Sequence, residues 1–429
     1  MKSFLENETV RSLLTVTIAS LNYFIMMLIN IMLARFLGAQ VFGDYAIAIV
    51  IANVGYIIAV LGKGQIALKN VPIYLKNNKY QKIRHFIQIN FFRIIIFSLL
   101  LSMFFISSYF LILHLSVQDV LHPVLYAGLL IPIMAVVYYM SCILLSMQYI
   151  VSTLLVLQIL IPVQYLAIIL LFQIYDNLFT EHHALLAVLI SWLIGSLIYS
   201  YVLRKYLFYR ANKKLLINQV DSLTSGFSFL FVQVILGALQ SVGVIVIELL
   251  EKDESIVGIY AMADQLSFFV ILLYNTTLTY ILPKLSVLLD NDEHRQTQAF
   301  LNKVFCRFFI LCIFMSFIYV FLGEHILKLC GERFTAAYLP LLIISLGNMV
   351  NMLLGVSYYV IQYKESNAAV IKMYAVLFAL NVMLTLFLVP YLSAMGAALG
   401  ITIPLLLIFL YQVAYIRTKY GLSIIRIRA

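Results

Sequence analysis

The chain has 429 residues, 64% of them hydrophobic and only 11% charged, with a net charge of +10. That balance excludes a soluble globule, and spans that use up most of the length leave no room for a separate catalytic domain. The positive excess reads as a charge bias between the two sides of a membrane rather than as a nucleic-acid surface, so no nucleic acid is expected as a partner.

Apolar runs of about 20 residues, each enough to cross a bilayer as a helix, recur along the whole chain. The first covers about 12–34; it is too long for a cleaved signal peptide and lacks a small-residue cleavage site. Others follow at about 44–62, 86–113, 121–145, 152–172 and 184–203. After a basic stretch from Arg204 to Ser222 they resume at about 224–249, 256–283, 304–322, 338–361, 370–390 and 395–415. The expected fold is all-α: a polytopic membrane protein with about twelve transmembrane helices in two six-helix bundles around a central cavity. The bundles are placed at residues 1–210 and 223–429, joined by a cytoplasmic linker at 211–222.

Orientation comes from the 28 Lys and Arg. All but Arg35, Arg93, Lys252, Lys328 and Arg333 fall at the termini or in alternate connections on one side. The positive-inside rule makes that side, and both termini, cytoplasmic. Cys142, Cys306, Cys312 and Cys330 form no CxxC pair, and three of them sit in apolar runs, so they read as small buried hydrophobes. His182-His183 has no accompanying ligand spacing. No metal or cofactor is expected.

Phe42-Gly43-Asp44-Tyr45-Ala46 and Val257-Gly258-Ile259-Tyr260-Ala261 share Gly, Tyr and Ala at an offset of half the chain, and Lys69 falls on Lys284 at the same offset. Six helices per copy would insert both halves in one orientation. Transporters built that way place substrate between the halves and alternate access by rocking.

Polar residues inside spans mark either a cavity or a packing contact. Asp264 stands about eight residues into its run and shares a face with Asn275 and Thr279. It is the candidate for ion coupling, or else an acid paired with a neighbouring helix. Gln233, Gly237 and Gln240 are spaced to line a cavity or to hydrogen-bond across helices beside a small-residue contact. Asn22, Asn30, Asn348 and Asn351 carry the same two readings. Arg35 ends the first run, where a cation also suits a helix C-terminus. Arg93 lies about seven residues inside its run, within snorkelling reach. Lys63 and Lys69 close the second run, placed to meet an anionic head group or simply to set topology. The candidate cavity is therefore Arg35, Lys63, Lys69, Arg93, Asn22, Asn30, Gln233, Gln240 and Asn275. Most of the 29 tyrosines, Tyr138-Tyr139 and Tyr358-Tyr359 among them, read as an interfacial belt, a few as stacking surfaces for sugar rings.

Enzyme readings have little to stand on. Asp290-Asn291-Asp292 and Glu251-Lys252-Asp253 resemble the acidic pairs of membrane glycosyltransferases but sit in short connections. No Walker lysine motif, GxSxG or HExxH occurs. A polymerase would need a long outer loop.

Ala34-Arg35-Phe36-Leu37-Gly38 followed by Phe42-Gly43-Asp44-Tyr45 resembles the pattern A-R-x-L-G-x-x-x-F-G-x-Y of bacterial polysaccharide exporters, the Wzx-like flippases of the MOP superfamily. Val257-Gly258-Ile259-Tyr260-Ala261 and Pro283-Lys284-Leu285-Ser286 look like that family's second-half landmarks. The resemblance implies a flippase in the bacterial cytoplasmic (inner) membrane that moves undecaprenyl-diphosphate-linked oligosaccharide to the outer leaflet. It implies membrane lipid and other polysaccharide-assembly proteins as partners, and a cationic cavity. O-antigen of lipopolysaccharide, capsule, teichoic acid and exopolysaccharide remain open as the pathway. The alternatives are a MATE-like drug/cation antiporter, whose cavity should be acidic, and a polytopic glycosyltransferase or polymerase.

Overall fold

The computed structural model describes residues 8–115, 124–175, 179–207, 223–251, 253–290, 294–365 and 367–424. The expected linker at 211–222, Asn291-Asp292 and Lys252 lie outside them. Among the described residues all regular structure is helical.

The helices are α1 (Glu8–Ala59), α2 (Lys63–Lys76), α3 (Tyr80–Leu115), α4 (Val124–Ser146), α5 (Ile150–Leu155) and α6 (Ile161–Tyr175). They continue with α7 (Glu181–Leu207), α8 (Leu223–Leu250), α9 (Ser255–Asp290) and α10 (His294–Cys330). A 3-10 turn over Glu332–Ala337 leads into α11 (Tyr338–Leu354), α12 (Val356–Lys364) and α13 (Asn367–Tyr420).

Among the described residues ten helical segments are long and apolar enough to cross a membrane. Two of them are double length. α1 has 52 residues and α13 has 54, close to 80 Å each at about 1.5 Å per residue, against a hydrocarbon core of about 30 Å. Each is broken once. Gly38 leaves helical geometry at φ 73°, ψ 173°, and Ser393 at φ 49°, ψ −127°. Each long helix therefore supplies two spans, which brings the ten segments to the expected twelve.

At Ser393 the chain reverses. A Cβ on Gly400 would lie 2.2 Å from the Thr385 Oγ1, and one on Gly396 2.5 Å from the Leu388 carbonyl oxygen. Residues fifteen apart in a straight helix would be about 22 Å apart. The ends meet as well: Glu365, just before α13, accepts hydrogen bonds from Tyr415 (2.7 Å) and Tyr420 (2.5 Å) and pairs with Lys419, all in the last turns of that helix.

Local breaks have sequence causes. Between α5 and α6 a π turn covers Val156–Leu160; Pro162 has no N–H to offer the carbonyl four residues back, at Gln158. α1 hands over to α2 through two left-handed residues, Leu61 (φ 53°) and Gly62 (φ 66°). Lys63 and Lys69 thus belong to a separate helix instead of closing the second span, a correction to the sequence reading.

The chain divides into two compact units. One contains residues 1–29 and 44–238, the other 30–43 and 239–429. The helices α1 and α8 each contribute to both units. In the first unit α3 packs on α4, which also packs on α2 and α7. Its buried tyrosines satisfy their hydroxyls across helices, as burial requires. Tyr199 donates to the Thr153 carbonyl (2.7 Å) and Tyr165 to the Tyr45 hydroxyl (3.0 Å). In the second unit α11 packs against α9 and α13. Tyr319 donates to the Leu266 carbonyl (2.9 Å), Asn348 to the Ser267 hydroxyl (3.0 Å) and Thr402 to the Ile343 carbonyl (3.1 Å).

The two glycines of the suspected repeat meet inside the second unit. A Cβ on Gly258 would stand 2.1 Å from the Ala39 carbonyl oxygen and 3.1 Å from the Gly43 nitrogen. One on Gly43 would stand 2.5 Å from the Glu254 carbonyl oxygen. Only residues without side chains let two helix backbones approach this closely.

Candidate functional site

In the first unit four helices bring polar and aromatic groups together. Tyr56 of α1 and Tyr138 of α4 have ring centroids 5.5 Å apart. Gln233 of α8 donates to the Tyr138 hydroxyl at 3.0 Å. Gly64 of α2 lies so close that a Cβ would be 2.9 Å from the Cys142 sulfur and 3.2 Å from the Tyr138 ring. Lys63, its neighbour, is 3% exposed. An amide and two phenols suit the oxygens of a polyhydroxylated ligand.

The second unit carries an aromatic counterpart. Tyr358 and Tyr359 of α12 pack edge to face at 4.8 Å, and Tyr358 meets Tyr374 of α13 at 5.3 Å. Tyr274 of α9 is buried, and its hydroxyl takes the space where Gly355 would carry a Cβ, 2.4 Å away. The phenol oxygens of Tyr274, Tyr358, Tyr359 and Tyr374 lie within mutual electrostatic range. Asn351 presents its Oδ1 at the same glycine.

The other sequence candidates are more scattered. In the first unit, Asn22 is half-buried and Lys69 exposed. Arg93 is exposed too, on the α3 face that carries Ile96, Leu100 and Phe104, all exposed. In the second unit, Asn30 is half-buried while Arg35 and Gln240 are exposed. Asn275 is exposed and Asp264 half-buried; among the described residues Asp264 forms no ion pair with Lys, Arg or His. Thr279 lies in α9, with its side chain outside the described residues. Gln233 and Asn348 are engaged across helices. Gly237 faces Ile57, 2.6 Å from a would-be Cβ.

The tyrosine groups are what the sequence reading missed. The interfacial-belt reading absorbed Tyr138 and Tyr358-Tyr359. The available signal was Tyr274, far inside an apolar run and next to Asn275.

Comparison with known proteins adds the family. The model of a family described as polysaccharide biosynthesis protein matches residues 11–289. The chain belongs to that family. Its fold is shared with solved transporters of the MOP superfamily. An inward-facing multidrug resistance MATE transporter of that superfamily superposes with a TM-score of 0.72 at 13% identity, covering 96% of this chain and 98% of the other. The lipid II flippase MurJ, in an inward closed conformation, gives 0.69 at 16% identity, covering 94% and 87%. No curated protein matches the sequence. Identities this low establish the fold alone. The family member is thus a multi-pass, all-α membrane protein with the architecture of transporters and flippases.

Proposed function

We propose that this protein is a flippase for undecaprenyl-diphosphate-linked oligosaccharide repeat units. It carries them by alternating access from the inner to the outer leaflet of the bacterial cytoplasmic membrane, for surface polysaccharide assembly. The family match over residues 11–289 carries this reading. A flippase of lipid II is among the proteins of similar fold. The physical need is plain: a charged diphosphate with its sugars crosses bare hydrocarbon only at prohibitive cost, so it requires a polar path.

In this reading cationic side chains meet the diphosphate, Lys63 and Lys69 being the candidates in the first unit and Arg35 in the second. Arg93, on the exposed apolar face of α3, snorkels. Amides donate to sugar oxygens, Asn22 and Gln233 in the first unit and Asn30, Gln240 and Asn275 in the second. The tyrosine faces suit sugar rings, and Asp264 couples transport to an ion gradient. No covalent bond is made or broken, so the protein acts as a transporter and not an enzyme. Both termini are cytoplasmic, and other polysaccharide-assembly proteins are its partners.

Replacing Arg35 or Lys69 by Ala should lower export of surface glycan while leaving membrane insertion intact. Normal export by both variants would overturn the cationic path. A drug/cation antiporter is the second reading, since a MATE transporter is also among the proteins of similar fold. It predicts resistance to cationic dyes on expression, with surface glycan unaffected by deletion.

A further inference from the structure

The two arms of α13 leave a groove of about 360 Å³ between them. Lys372, Val376 and Leu380 line it from the first arm, and Leu407, Ile408 and Tyr411 from the second.

The surroundings of the groove say what can reach it. Val376, Met383 and Phe387 are strongly exposed on the first arm, as are Leu407 and Leu410 on the second. Lys372, Val376, Leu380, Met383 and Phe387 follow the spacing of one helix face. An exposed apolar stripe of that length on a spanning helix suits contact with acyl chains, so a lipid is the ligand whose chemistry the groove fits.

Charge narrows the choice. Lys372 is exposed at the end of the stripe nearest the start of α13, and among the described residues it makes no hydrogen bond or ion pair. Tyr411 lines the same groove and carries a hydroxyl that can donate. One ammonium balances one phosphodiester; a prenyl diphosphate carries more charge than the groove offers. From Lys372 to Leu380 the wall runs about 12 Å, the upper part of an acyl chain rather than a long polyprenyl tail.

We propose that this groove binds an anionic glycerophospholipid. One acyl chain lies along Val376 and Leu407, the phosphate meets the Lys372 ammonium, and the Tyr411 hydroxyl is a second donor. This site is separate from the polar groups assigned to transport and does not depend on that assignment.

The test uses the full chain in a mild non-ionic detergent, with retained lipid counted by native mass spectrometry. Phosphatidylglycerol should be retained about fivefold more than phosphatidylethanolamine, the effect expected of one lysine beside an anionic head group. Lys372→Gln should abolish that preference and Lys372→Arg should keep it. Leu407→Trp, which fills the groove, should lower retention of both lipids. Lys76→Gln, at an exposed lysine of α2, should change nothing. Equal retention of the two lipids by the unaltered protein overturns the proposal. So does a preference that survives Lys372→Gln, unchanged binding in Leu407→Trp, or displacement of phosphatidylglycerol by undecaprenyl phosphate.

Discussion

The break at Gly38 and the turn at Ser393 each divide one continuous helical stretch into two spans, but they rest on different physics. Gly38 takes φ 73°, and a Cβ there would meet nothing within 4 Å; its demand is purely conformational. Ser393 takes φ 49° with a side chain in place, a region that L-residues enter at a cost of about 1–3 kcal/mol. That turn is held by what surrounds it. Gly396 and Gly400 let the returning arm press against residues 385–389, and Glu365 ties the start of α13 to its last turns. One break relies on a permissive residue, the other on tertiary contacts that over-determine a strained one.

The largest effect should come from attacking those contacts. Gly400→Val places its side chain into Thr385, whose Cα is 2.9 Å from the would-be Cβ. A backbone neighbour cannot move aside, so a loss of about 3 kcal/mol is expected, read as a drop in the thermal transition of the detergent-solubilised protein.

At the other break, Gly38→Ala tests backbone strain without crowding. It should cost about 1 kcal/mol, visible as a smaller shift in the same transition with glycan export retained. A loss as large as that of Gly400→Val would mean that Gly38 is also a packing position.

Ser393→Gly should act in the opposite direction. Relief of strain exceeds the added freedom of the unfolded chain, and a gain of about 1 kcal/mol is expected. A destabilised variant would show that the serine side chain itself holds the turn.

The smallest effect concerns the tie at Glu365. Hydrogen bonds from Lys419, Tyr420 and Tyr415 lower its carboxyl to about 2. A depressed folded-state value means that the stabilisation is complete above the ordinary carboxylate range and is lost as pH falls from about 4.5 towards 2. The thermal transition of the unaltered protein should therefore decline over that window, and Glu365→Gln should flatten this part of the decline. The group is at the surface, so the shift will be slight.

How far each feature was legible before folding follows from the same physics. Apolar run length reports directly on spanning, so α8 and α9 begin within a residue of where their runs predict. Pairing and burial are long-range, and no local pattern carries them. Lys63 and Lys69 look alike in sequence, yet Lys63 is buried beside Gly64 and Lys69 is exposed. Gln233 and Gln240 lie on one helix and belong to different units. Asn348 looked as available as Asn351 until Ser267 of α9 was placed against it.

The amino-acid sequence alone determined that the chain is helical, crosses a membrane about twelve times and carries the family's landmarks. Those properties depend on transfer of apolar residues to lipid and on short-range backbone preference. Only the tertiary structure decided that Gly43 and Gly258 abut, that α13 folds back on itself, and that tyrosines from α9, α12 and α13 gather in one place. Such contacts join residues far apart in the chain, and what selects them is the fit of whole helix surfaces, which no single segment contains.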